Sequence, residues 1–208
     1  MDIAVLFDPK RALRQITSGL QHLHALKIIH RDIKPQNILV SSTKNGQSHR
    51  MLISDFGLCK RLEVDQTSFM PTAFGAMAAG TVGWRAPEIL RGEVRLDDSD
   101  ASQSSRGSTI TSNGSDTPSN FSKPMKLTKA VDTFALGCLY YYCLTGGSHP
   151  YGDRFEREAN IMKDIKSLEG LDHFGEEGTE ATDLIGKMLN AQASLRWVKE
   201  PLSWDGSD

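Results

Sequence analysis

The sequence predicts a mainly helical α+β fold that carries one small β-hairpin. Three observations predict it. Residues 8–25 place apolar side chains at helical spacing, and residues 131–144 form an almost unbroken apolar run of helix length. Asn45-Gly46 separates two short runs rich in Ile, Leu and Val, which is the composition of a tight hairpin.

The elements follow in order. Asp8-Pro9 starts a helix, with Asp as the cap and Pro at the first helical position. Leu13, Ile16, Leu20 and Leu23, with Leu26 beyond, make one apolar face that runs to about Ala25. His22 and His24 near its end are read as surface or packing histidines rather than metal ligands. Ile28-Ile29 and Ile38-Leu39-Val40 are β-prone runs on either side of a polar loop, and Met51 to Ser54 makes the hairpin's second strand. Val131 to Leu144 is a buried helix, "GGSHPYG" a turn, and Ala159–Leu168 and Ala181–Leu189 two further helices. There is no internal repeat.

Four segments are expected. Residues 1–96 hold the first part of the fold, and 97–124 are a disordered insertion. Residues 125–196 supply the helical remainder, and 197–208 form an atypical tail. The insertion is Ser-rich and nearly free of large apolar groups, so it cannot bury enough surface to offset its ordering entropy.

Composition excludes several classes of function. The chain has 208 residues and a net charge of -2, with 38% apolar and 24% charged residues, which describes a globular protein. Such a balance gives no basis for nucleic acid or an anionic membrane as the main partner. Cys59, Cys138 and Cys143 show no metal-ligand spacing and cannot all pair, which points to a reducing compartment. "MDIAVLFDPKR" lacks a leader pattern, and Phe134 to Leu144 falls short of the roughly 20 residues of a membrane span. The chain is expected to be soluble and cytosolic.

The loop "HRDIKPQN" concentrates chemistry between two apolar runs. Phosphoryl transfer needs a carboxylate at the attacking hydroxyl, a cation on the transferring phosphate and oxygen ligands for magnesium. Asp32 can orient or deprotonate a hydroxyl, Lys34 can contact a γ-phosphate, and Asn37 offers an amide oxygen. Asp55 in "SDFGLCK" supplies a second metal-facing carboxylate before Phe56-Gly57, where Gly permits an unusual turn.

With "GTVGWRAPEIL" added, the three pieces stand in the order His-Arg-Asp-x-Lys-x-x-Asn, Asp-Phe-Gly, Ala-Pro-Glu. In that order they resemble the catalytic domain of protein kinases, and Lys34 after Asp32 is the Ser/Thr pattern. The fold then implied is the C-terminal lobe of a kinase with its small β-hairpin. The resemblance assigns catalysis to Asp32, Lys34 and Arg31, nucleotide contacts to Lys34, Asn37 and Asp55, and magnesium to Asn37 and Asp55. ATP and Mg2+ are the implied cofactors. His30, Phe56 and Gly57 are structural members of the same motifs. Asp132 in "VDTFALGC" matches the helix carboxylate that anchors the catalytic loop, and Arg196 the late arginine that pairs with Glu88.

"SDFGLCK", "GGSHPYGDRFEREANI" and "ATDLIGKMLN" carry a narrower likeness. They resemble the inositol-requiring kinase/endoribonuclease family of the unfolded protein response, with a Ser-rich insertion like that of fungal members. That family implies a domain on the cytosolic face of the endoplasmic reticulum membrane that phosphorylates itself in trans. The partner would be a protein substrate, a second copy of a full-length relative, and whether the chain itself pairs as a homodimer is left open. Residues between Asp55 and Glu88 become the activation loop, with Ser68, Thr67, Thr72 and Thr81 as phosphosite candidates. A phosphate there would add roughly -2 charge beside Arg31.

The sequence departs from the family at both ends. No Gly-x-Gly-x-x-Gly precedes residue 30, and Trp197 stands where the family has Pro. The N-terminal lobe is therefore expected to be missing, as in a truncated or mis-spliced reading frame. Two functions follow: a kinase catalytic lobe, or a catalytically inactive lobe that regulates a relative by docking.

Overall fold

The computed structural model describes residues 8–42, 49–62, 80–93 and 128–196. The Ser-rich insertion, the tail, Ser68, Thr67 and Thr72 lie outside the described residues.

Helix α1 spans Pro9–Ala25, and the Asp8 carboxylate caps it by accepting the Lys10 amide at 3.0 Å. The sequence expectation for both its ends holds. Leu13, Ile16 and Leu20 are its buried face. Behind α1 come β1 (Ile28–Ile29), β2 (Ile38–Ser42), β3 (His49–Ile53) and β4 (Lys60–Arg61). The β2–β3 pair is the expected antiparallel hairpin, with Ile38 opposite Ile53 and Ser42 opposite His49. Its inner side lies on α1, where the Gln15 side chain accepts the Met51 amide at 2.7 Å.

A second pair, β1 with β4, sets Ile28 opposite Arg61 and Ile29 opposite Lys60. It brackets the polar loop from the other side, and the Leu62 amide closes it on the Lys27 carbonyl at 2.7 Å.

Helix α2 (Pro87–Leu90) is a single turn, and α3 (Ala130–Leu144) is the centre of the molecule. Every residue of α3 from Ala130 to Tyr141 is buried, as a helix apolar on all sides must be. Thr17 of α1 and Tyr140 of α3 share a hydrogen bond of 2.7 Å. Helix α5 (Glu176–Met188) packs on α3 through Ala181, Ile185 and Met188. Gly137 permits that approach, because a Cβ there would lie 2.9 Å from Met188 Cβ.

The largest differences from expectation are in two helices. Helix α4 covers Arg157–Lys163 instead of reaching Leu168. It stops because Asp164 takes a left-handed conformation, φ 55°, which its short polar side chain tolerates. A 3-10 segment over Glu169–Phe174 follows, and α5 begins five residues before Ala181. The stretch from Glu176 to Glu180 carries no apolar stripe to announce a helix.

Candidate active site

Asp132 in the first turn of α3 organises the loop between β1 and β2. Its Oδ2 accepts the His30 amide at 2.8 Å and its Oδ1 the Arg31 amide at 2.7 Å. His24, from the last turn of α1, bonds Oδ2 through Nε2 at 2.8 Å. Arg31 needs this support, since its φ of 69° is costly for a residue with a Cβ. The role of His24 was not legible as more than packing, because nothing local ties it to a residue 108 positions away.

His30 is fully buried. Its Nδ1 accepts the Asp32 amide at 3.3 Å, so the ring proton sits on Nε2 and is donated to the Ser54 carbonyl at 3.1 Å. Its ring meets Phe56 edge-on at 5.6 Å. His30 thus joins the polar loop to the end of β3.

The Asp32 carboxylate is saturated. Oδ1 accepts the Thr81 amide at 2.9 Å and the Thr81 hydroxyl at 2.7 Å. Oδ2 accepts Lys34 Nζ at 2.6 Å and Asn37 Nδ2 at 2.9 Å. Burial alone would raise its pKa, but Lys34, Thr81 and Asn37 outweigh burial and hold it below the ordinary aspartate value. Lys34 also donates to the Thr81 hydroxyl, so the three side chains close a ring. Sequence reading placed Thr81 among candidate phosphosites; the structure places it on Asp32. A Cβ on Gly80 would sit 2.8 Å from the Arg31 carbonyl, so only glycine brings Thr81 this close.

Asn37 Nδ2 donates to the Asp32 carbonyl at 2.8 Å as well as to its carboxylate. Both amide protons are engaged, and Oδ1 is the atom with which Asn37 would ligate a hard cation. The Asn37 carbonyl accepts the Ser54 amide at 2.9 Å, which brings Asp55 to the same end of the hairpin. Asp55 is exposed, has φ 61°, and receives one backbone bond, from Gly57 at 3.3 Å. The pair of oxygen donors suits magnesium. Among the described residues no cluster of three or more His, Cys, Asp or Glu exists for a softer metal.

Farther from the cleft, Glu88 of α2 and Arg196 form a bidentate pair at 2.6 and 2.7 Å, with both side chains buried. Arg196 spends its remaining donors on the carbonyls of Asn190, Ala130 and Ala191. Arg31 Nε donates to the Leu58 carbonyl at 2.5 Å. Cys59 beside it is pushed up to about 11 by burial and by Asp132, so it stays a thiol.

Residues 7–110 match the family model described as protein kinase domain. The chain is 48% identical over 91% of its length to the serine/threonine-protein kinase/endoribonuclease IRE1 of Hypocrea jecorina, of which it spans 15%. It is 40% identical over 98% of its length to the sensor for unfolded proteins in the ER, ire1, of Schizosaccharomyces pombe, spanning 18% of that protein. With the serine/threonine-protein kinase/endoribonuclease IRE2 of Homo sapiens it shares 37% identity over 88% of its length and 16% of the relative's. The Asp32, Lys34 and Asn37 cluster, the loop hung on Asp132 and the family match over residues 7–110 agree, and this chain belongs to the protein kinase family.

Proposed function

We propose that this chain is the base and metal side of a serine/threonine kinase cleft, acting in ATP-dependent phosphoryl transfer to protein hydroxyls. The observation that carries it is the Asp32 carboxylate, ionised and fixed by Lys34, Thr81 and Asn37. A carboxylate held at low pKa orients the acceptor hydroxyl and takes its proton late, as charge builds on the acceptor oxygen. Lys34 sits one hydrogen bond from Asp32 and is the cation for the transferring phosphate. Asn37 and Asp55 would hold magnesium, whose chemistry there is to neutralise phosphate charge. Leu39 and Leu52 pair directly across the hairpin and are 53% and 40% exposed, which supplies an apolar floor for a nucleotide base.

The likeness to the unfolded-protein sensor of Schizosaccharomyces pombe supports a place in endoplasmic-reticulum stress signalling, with a second copy of a full-length relative as substrate. Among the described residues no helix is long and apolar enough to cross a membrane.

The test is magnesium-dependent ATP binding by the 208-residue chain, measured by calorimetry. Asp55→Ala should weaken binding at least tenfold, about 1.4 kcal/mol. Equal binding by both proteins would overturn the metal assignment. The exposed Leu39–Leu52 floor also favours a second reading, a regulatory lobe that docks on a relative. A folded chain that binds no nucleotide would select it.

A further inference from the structure

Trp84 is buried three residues after Thr81, and its amide donates to the Thr81 carbonyl at 3.0 Å. Three side chains enclose the indole. His149 stands nearly perpendicular to it at 4.9 Å, Tyr142 lies at 6.0 Å, and the Arg157 guanidinium carbon is 6.0 Å from the ring centre. A Cβ on Gly83 would be 2.7 Å from Arg157 Cδ, so the backbone between Thr81 and Trp84 is pressed against α4. The Glu158 carboxylate holds it there by accepting the Gly83 amide at 3.3 Å.

His149 lies in the turn after α3 and has two distinct nitrogens. Nδ1 accepts the Tyr151 amide at 3.2 Å, so the ring proton is on Nε2. Nε2 is buried and meets no oxygen or nitrogen partner among the described residues. A buried N–H without an acceptor costs free energy, and an aromatic face is the weak acceptor that relieves it. The indole of Trp84, nearly perpendicular to the imidazole with ring centres 4.9 Å apart, is the ring placed to offer such a face.

We propose that His149 is a positioning residue for phosphoryl transfer: its Nε2–H rests on the Trp84 indole, and through the Trp84–Thr81 turn it fixes the Thr81 hydroxyl on Asp32. This rests on Asp32 being the base in the reading above. Burial and then Arg157 push the His149 ring down to about 3, so it stays a neutral donor at physiological pH. In the sequence "GGSHPYG" reads as a turn within a family-like segment, and nothing there assigns a role to His149; the ring stack is invisible in sequence, because His149 and Trp84 are 65 positions apart.

The experiment is nuclear magnetic resonance on the full chain, without nucleotide, so that a failed kinase reading and a failed positioning role stay separable. The His149 ring should show the Nε2-protonated tautomer, its proton shifted upfield by the indole. An Nδ1-protonated ring would overturn the proposal. The Asp32 carboxyl is then titrated in wild type, Thr81→Val and His149→Ala. Thr81→Val should move the Asp32 midpoint up, and His149→Ala should move it the same way by less. An Asp32 midpoint unmoved by His149→Ala in a folded chain would reduce His149 to packing. Should His149→Ala not fold, His149→Phe keeps the ring volume and loses the donor. A displaced Trp84 indole signal with a raised Asp32 midpoint then supports the role, and an unchanged midpoint overturns it.

Discussion

Asp32 and Asp132 are both buried carboxylates with every oxygen engaged, yet they do opposite work. Asp132 is satisfied by two backbone amides and His24, and it shapes the loop. Asp32 is satisfied by the side chains of Lys34, Asn37 and Thr81 together with the Thr81 amide, and in the proposed function it meets the acceptor hydroxyl. Asp132→Asn replaces one acceptor oxygen by a donor that faces an amide, and should cost about 1–3 kcal/mol in urea unfolding. Acid should act through Asp32 and His149. Both are shifted down in the folded state, so each stabilises the fold above its unfolded value and that stabilisation is lost as pH falls. His149 gives way first, between its ordinary 6.5 and about 3, and Asp32 below its ordinary 3.8. Urea midpoints at pH 7.5, 5.5 and 4.5 should fall steadily in wild type and less in His149→Phe. The residue types of the site were legible, because Asp32, Lys34, Asn37 and Asp55 stand in an ordered pattern of motifs. Their mutual bonding was not: that Thr81 occupies Oδ1 of Asp32 depends on a contact 49 positions long.

At the level of elements, the helices most easily read are those with an unambiguous pattern. α1 carries a capped amphipathic stripe, and α3 is apolar on all sides. The β1–β4 pair escaped because strands of two residues carry no periodicity, and their pairing is set by the loop they enclose. The end of α4 escaped because it turns on the left-handed Asp164, a single-residue choice. The packing of α3 on α5 makes a sharp prediction. Gly137→Ala would set a Cβ 2.9 Å from Met188 Cβ, which is fixed to the helix backbone and cannot rotate away, and 3.0 Å from Leu189 Cδ2 in the core. Such overpacking should cost about 1–3 kcal/mol, read as a lower denaturant midpoint at unchanged slope.

For the molecule as a whole, the core is continuous from α1 through α3 to α5, while Leu39 and Leu52 leave an apolar spot on the outer face of the hairpin. Leu39 and Leu52 there are an association hazard until a nucleotide or a partner covers them. Leu39→Ser should leave stability within about 0.5 kcal/mol, since the side chain is already exposed, and should reduce self-association in sedimentation velocity. Unchanged association would show that another surface drives it. The bonds that hold the loop between β1 and β2 also set an order of events. The loop's two amides reach Asp132 across 101 and 102 positions of sequence, and Glu88 reaches Arg196 across 108. Closing spans of that length must precede any reward from the contacts themselves. During synthesis, α1 and the hairpin can form as soon as they emerge, but Arg31 has no reason to enter its left-handed conformation until α3 arrives. The loop between β1 and β2 therefore waits for α3, and a shorter ribosome-bound intermediate would carry Asp32, Lys34 and Asn37 without their geometry.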